Sequence, residues 1–131
     1  MPLTDAFNEQ EQRKSLPVDA AAWILENLPE GEMFNPYNWG GYLIWSLYPH
    51  YRVFVDGRTD LYGDEILGDY LKVQYARPGY EAVLTKYDIG FILTYRDDVL
   101  STQLACQGGW EKVYEDENGV AVIWVRRDTG E

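Results

Sequence analysis

The spacing of apolar residues along this chain changes period several times, and each change marks an element. Val18, Ala22, Leu25 and Leu28 recur at helical spacing behind Pro17 and Asp19, two helix-start signals, and Pro29 with Gly31 closes the segment. Residues 32–35 predict a short strand. Asn38 can cap a second helix over 39–48, which Pro49 ends. The β-branched and aromatic run Val53-Phe54-Val55 predicts a buried strand over 52–56. After a polar loop, 64–74 predict a helix with Leu67, Tyr70 and Leu71 on one face. Pro78 opens another helix, in which Tyr80, Val83, Leu84 and Tyr87 share a face. Residues 91–95 predict a third strand. Asp97 or Asp98 then caps a helix that runs to Gln107 and stops at Gly108-Gly109. Residues 110–115 and 120–126 predict two strands joined through Asn118-Gly119, a strong hairpin signal.

Helices that alternate with short apolar strands predict an α/β fold: three layers, α/β/α, around a mixed and mainly parallel sheet that ends in a C-terminal antiparallel hairpin. The first strand is expected between the second and third, with the hairpin at one edge. Residues 16–127 form the single domain expected. A polar linker or tail over 1–15 and a short tail over 128–131 flank it.

Composition narrows the partners. The chain has 131 residues, enough for one core without disulfides or structural metal. Eleven basic against 22 acidic residues give a net charge of −11, which repels nucleic-acid phosphates and anionic lipids, so nucleic acid is not an expected partner. The longest apolar runs, 20–25 and 120–125, are far short of the roughly 20 residues a membrane helix needs. No secretory leader pattern is present. Cys106 is the only cysteine; its apolar helical setting predicts a core position, and an internal disulfide or cysteine-based zinc site is excluded. Trp23, Trp45, Trp110 and Trp124 fall inside periodic elements and are expected in the core.

Ligands of open α/β sheets bind at the carboxyl ends of the strands. Two loops there hold the candidate residues. The first carries Asn38, Trp39, Gly40, Gly41 and Tyr42, with Tyr37 beside them. The second carries Asp56, Arg58, Asp60 and Tyr62. The aromatics suit stacking on sugar rings or docking on an apolar surface. Gly40-Gly41 at a helix start offers backbone N–H groups to an anion, or simply close helix packing. Asp56, Asp60 and Asp64 offer oxygen ligands to a divalent cation, or an ion-pair and capping network around Arg58. The network is preferred, and no metal or cofactor is assigned. His50, the only histidine, ends a helix beside Pro49 and reads as a surface residue; no nucleophile-elbow motif surrounds any serine, so no catalytic residue is assigned.

The run Asn35-x-x-Asn38-Trp39-Gly40-Gly41-Tyr42-Leu43-Ile44-Trp45, then Pro49, then Arg52 through Asp56-Gly57-Arg58-x-Asp60-Leu61-Tyr62-Gly63, resembles the soluble C-terminal domain of large bacterial polytopic membrane proteins. Those proteins are similar to membrane glycosyltransferases that use lipid-linked sugars, and the resemblance covers about 16–126. More distantly, the Trp-Gly loop, helix, strand and Arg/Asp loop resemble the start of the soluble domain of the oligosaccharyltransferase catalytic subunit. There a Trp-Trp-Asp-Tyr-Gly motif helps recognise the acceptor peptide; Asn38-Trp39-Gly40-Gly41-Tyr42 stands in its place without the second Trp and the Asp. The resemblance implies a non-catalytic, extracytoplasmic domain of a glycosyltransferase-like membrane protein. Its implied partners are the transmembrane part of the same parent chain and a sugar or lipid-linked sugar. The alternative is a free-standing small-molecule or sugar-binding module, and an enzyme using Asp56 and Asp60 is a third reading.

Overall fold

A computed structural model describes residues 16–54, 64–116 and 120–127 of the chain. In chain order the elements are α1 (Val18–Asn27), β1 (Glu32–Phe34), a 3₁₀ turn (Tyr37–Trp39), α2 (Gly40–Leu47), α3 (Asp64–Gln74), α4 (Tyr80–Lys86), β2 (Ile89–Tyr95), α5 (Val99–Gln107), β3 (Trp110–Glu115) and β4 (Ala121–Arg126). The fold is mixed α/β, with one four-stranded sheet in the order β1-β2-β4-β3. β1 runs parallel to β2, with Phe34 opposite Ile92. β4 lies antiparallel to both β2 and β3. One ladder of three is therefore parallel, and the expectation of a mainly parallel sheet is corrected. β1 also stands at an edge, not between two strands.

The strand expected over 52–56 does not form over its described part. Arg52, Val53 and Phe54 have no ladder. The Phe54 N–H instead donates to the Asn35 side-chain Oδ1 at 2.6 Å, beyond the three residues of β1. Phe54 still packs its ring on Phe34 and Tyr87, at 5.1 and 5.0 Å between centroids. The segment is only half-buried at Val53 and Phe54 and exposed at Arg52, so the expected buried strand is corrected over its described part. Val55 and Asp56, with the second candidate loop, lie outside the described residues, as do the tails and Asn118-Gly119.

The core divides into two clusters. Phe91 and Leu93 of β2 belong to one, which α1 and α2 complete with Ala20, Ala21, Ile24, Leu43 and Leu47. Ile92 belongs to the other, with Tyr70 and Val73 of α3, Val83 and Leu84 of α4, and Leu100 and Leu104 of α5. Alternate residues of a strand point to opposite faces, which is why neighbours along β2 part company. At the amino end of the parallel pair the two backbones touch. A Cβ on Gly31 would stand 2.6 Å from the Gly90 Cα.

Two helices bury other faces than their periodicity suggests. α1 buries Ala20, Ala21 and Ile24, while Ala22, Leu25 and Leu28 are exposed. Residues 20–25 are apolar without a break, so no single stripe stands out, and the small Ala20 and Ala21 allow the closer approach. In α2, Leu43 and Leu47 are buried, but Trp45 is 79% exposed. Trp23 is half-buried, and Cys106 lies on the surface instead of in the core. Trp110 and Trp124 are buried as expected, and His50 is exposed.

One consequence of α4's packing is an alkaline limit. Burial, aided by the nearby Glu81 charge, pushes the Tyr80 phenol up to about 12, and its hydroxyl donates to Gln107 Oε1. The folded chain holds this proton more tightly than the unfolded one, so the contribution is complete below pH 10 and is lost as pH rises toward 12. The urea midpoint is expected to fall across that window, and Tyr80→Phe to flatten the fall. Burial also raises Tyr51, Tyr70 and Tyr87, which preserves part of the dependence in the variant.

Candidate functional site

Because β1 and β2 are parallel neighbours, the segments that leave their carboxyl ends emerge side by side. β1 passes through Asn35 and Pro36 into the 3₁₀ turn, and β2 passes through Tyr95 to Asp98, the cap of α5. α3 lies across both. Together they wall a crevice of about 510 Å³, in which Tyr37, Asn38, Tyr70, Gln74, Tyr75 and Tyr95 are prominent. Pro36, Leu67, Leu71 and Val99 add apolar lining.

Hydrogen bonds tie the three walls together. The Tyr37 N–H donates to the Tyr70 hydroxyl at 2.8 Å, and the Asn38 Nδ2 donates to the Tyr95 hydroxyl at 3.3 Å. Gln74 Nε2 donates to Asp98 Oδ2 at 2.9 Å. The same oxygen accepts from Thr94 Oγ1 at 2.6 Å, while Asp98 Oδ1 accepts the Ser101 N–H at 2.8 Å. Asp98 is therefore fully engaged in holding the wall. Its carboxylate also fixes the orientation of the Gln74 amide, since only the NH₂ end can donate to it. That leaves Gln74 Oε1 buried and, among the described residues, without a hydrogen-bond partner. An orphaned buried acceptor beside a cavity is a ready partner for a ligand O–H or N–H. Burial raises the Tyr70 phenol, opposed by its bond from Tyr37, so it stays protonated through the neutral range. The crevice offers aromatic faces, amides and hydroxyls. Among the described residues, this lining suits the binding of a polar ligand.

The first candidate loop is divided by this geometry. Asn38 is exposed at the crevice rim. Trp39 lies beneath it, 1% exposed, its ring centroid 4.3 Å from that of Tyr95. Gly40 is buried at the first position of α2, whereas Gly41 is exposed, and a Cβ there would meet nothing within 4 Å. Close packing does not explain Gly41. Three backbone donors around the glycine pair are already engaged. The N–H of Tyr37 serves Tyr70, that of Trp39 serves Pro36 O, and that of Gly40 serves Tyr37 O. Tyr42 is half-buried, with its ring 6.0 Å from Trp45.

Asp56, Arg58, Asp60 and Tyr62 lie outside the described residues. Phe54, the last residue before them, is bonded to Asn35 at the carboxyl end of β1. Tyr95 and Asp98 were open to the same strand-end reasoning, applied to the third strand. Tyr70, Gln74 and Tyr75 were not, because α3 reaches the site only through packing. Among the described residues, no group of three or more His, Cys, Asp or Glu side chains is arranged to hold a metal ion, and no helix is long and apolar enough to cross a membrane.

No family model and no curated protein matches the chain. A solved structure does. The fold is similar to that of the C-terminal globular domain of an oligosaccharyltransferase from the archaeon Archaeoglobus fulgidus, with a TM-score of 0.62 over 83% of this chain and 95% of that one. Identity is 10%, so the likeness is one of fold.

Proposed function

We propose that this chain is a non-catalytic, extracytoplasmic domain of a glycosyltransferase-like membrane protein, one that supports the membrane-embedded part of its parent and helps hold a sugar or acceptor. The observation that carries the reading is the tyrosine-lined crevice with the unpartnered Gln74 Oε1, at the strand ends where α/β folds bind ligands. The fold it shares with an oligosaccharyltransferase's C-terminal domain supports the choice of parent. The division of the core into two clusters supports the α/β/α layering. α2 supports docking: its sequence, GGYLIWSL, has no charged residue, and Trp45 projects from it. The occupant of that face is the transmembrane part of the same polypeptide. Asp56, Arg58, Asp60 and Tyr62 are proposed as further binding residues.

Titration of the ¹⁵N-labelled chain with N-acetylglucosamine and with a neutral tripeptide tests the crevice. Saturable amide shifts are expected at Tyr37, Asn38, Tyr75 and Tyr95 with at least one of the two. Gln74→Leu and Tyr75→Ala are each expected to weaken binding about tenfold, the effect of losing one buried hydrogen bond or one aromatic face. Linear, scattered shifts from both ligands would defeat the binding role. The free-standing binding module is the second reading. The two part on a simple fact: the docking domain requires membrane-spanning segments in the same polypeptide, and the module does not.

A further inference from the structure

At the opposite end of the sheet, where β2 and β3 begin and β4 ends, lies a larger cavity of about 690 Å³. Gly108, Gly109, Trp110, Arg126 and Arg127 line it, with the carboxylates Glu30 and Glu81. Arg126 is held before any ligand arrives. Its Nε and Nη2 both donate to the Ile89 carbonyl, at 3.1 and 2.9 Å, and its guanidinium lies over the Trp110 ring, 4.8 Å from the centroid. A guanidinium has five N–H donors, so this clamp leaves three unused and already oriented. The Arg127 N–H is fixed to the Gly109 carbonyl at 2.9 Å, which seats its side chain beside the same cavity.

Neither arginine has an ion-pair partner among the described residues. Arg52, Lys86, Arg96 and Lys112, by contrast, each pair with a carboxylate. Gly108 and Gly109 adopt φ of +80° and +87°, and a Cβ on either would meet nothing within 4 Å. Their backbone, not a side chain, therefore forms that wall. We propose that this cavity binds a hydroxylated oxyanion, a sugar phosphate or sugar acid. The phosphate or carboxylate would sit on the free donors of Arg126 and on Arg127, and ring hydroxyls would donate to Glu30 and Glu81. Bidentate oxyanion recognition is what a fixed guanidinium does best, and the two carboxylates select against a bare anion.

The test is amide-shift titration of the full chain at low ionic strength with glucose 1-phosphate, glucuronate, inorganic phosphate and glucose. Saturable shifts at Gly108, Gly109, Trp110 and Arg127 are expected with one or both sugar anions and not with glucose. Response to one anion alone identifies the head group. Arg127→Gln is expected to weaken that binding about tenfold without moving the melting midpoint, since its side chain has no partner among the described residues. Arg126→Lys keeps the charge and loses the fork, and should weaken binding similarly. Binding unchanged by Arg127→Gln, or saturable binding of glucose, would overturn the proposal. So would inorganic phosphate bound as tightly as either sugar anion.

Discussion

Trp39→Ala is expected to lower the unfolding free energy by about 3–5 kcal/mol, the range for emptying an aromatic core site. Small domains have roughly 5–15 kcal/mol in total, so the variant should sit near the edge of folding at room temperature. The expectation rests on an indole 1% exposed, among the largest fully buried side chains of the described core and packed on Tyr95. Asn38→Ala is the contrast. Its neighbour in sequence is exposed and makes one 3.3 Å side-chain bond to Tyr95, so removal should change stability by less than about 1 kcal/mol. Urea denaturation followed by circular dichroism checks both. Equal midpoints for the two variants would mean that Trp39 is not a core residue. The result also governs how loss of ligand binding in a Trp39 variant is read: such a loss would follow from a collapsed crevice wall.

Gly90→Ala should be nearly as damaging, by about 3 kcal/mol, the upper end of what overpacking costs. A Cβ there would lie 2.0 Å from the Glu30 carbonyl oxygen and 2.7 Å from the Gly31 Cα. Both neighbours are backbone, so no side-chain rotation relieves the clash, and β1 must move away from β2. Gly41→Ala is the matched control. It sits in α2 with open space around the new Cβ, and should raise stability by about 0.5–1 kcal/mol because alanine gives up less backbone entropy in a helix. Thermal melts of the pair decide the matter; a Gly90→Ala midpoint matching wild type would contradict the close approach of β1 and β2. Since that parallel pairing brings the carboxyl ends of β1 and β2 together at the crevice, Gly90→Ala should also disorder it.

Local chemistry was legible wherever a residue acts on its own segment. Asp98 as the cap of α5, Gly108 as its stop, and the Tyr80, Val83 and Leu84 face of α4 all stand as the sequence predicts. Legibility failed where two surfaces compete for one element. A continuous apolar run such as 20–25 has no preferred face until the sheet selects the alanines, and Trp45 satisfies helical periodicity while lying on the outside of α2. The 52–54 segment has strand composition, but a short β1 edge and the Asn35 side chain decide its hydrogen bonding. Asn38 lines a cavity, whereas Trp39, one residue on, belongs to the core.

By itself the sequence determined a mixed α/β chain, most of its element boundaries, its acidic net charge, and the strand-end loop that holds Asn38. These depend on period, turn residues and charge, all of which are local or additive. Tertiary structure alone decided the strand order, the turning of Trp39 inward and Trp45 outward, the approach of α3 that brings Gln74 to the crevice, and the meeting of Arg126 with Trp110. Each of those is a long-range choice between alternatives that local preferences leave almost equal, and packing settles them by which surfaces fit.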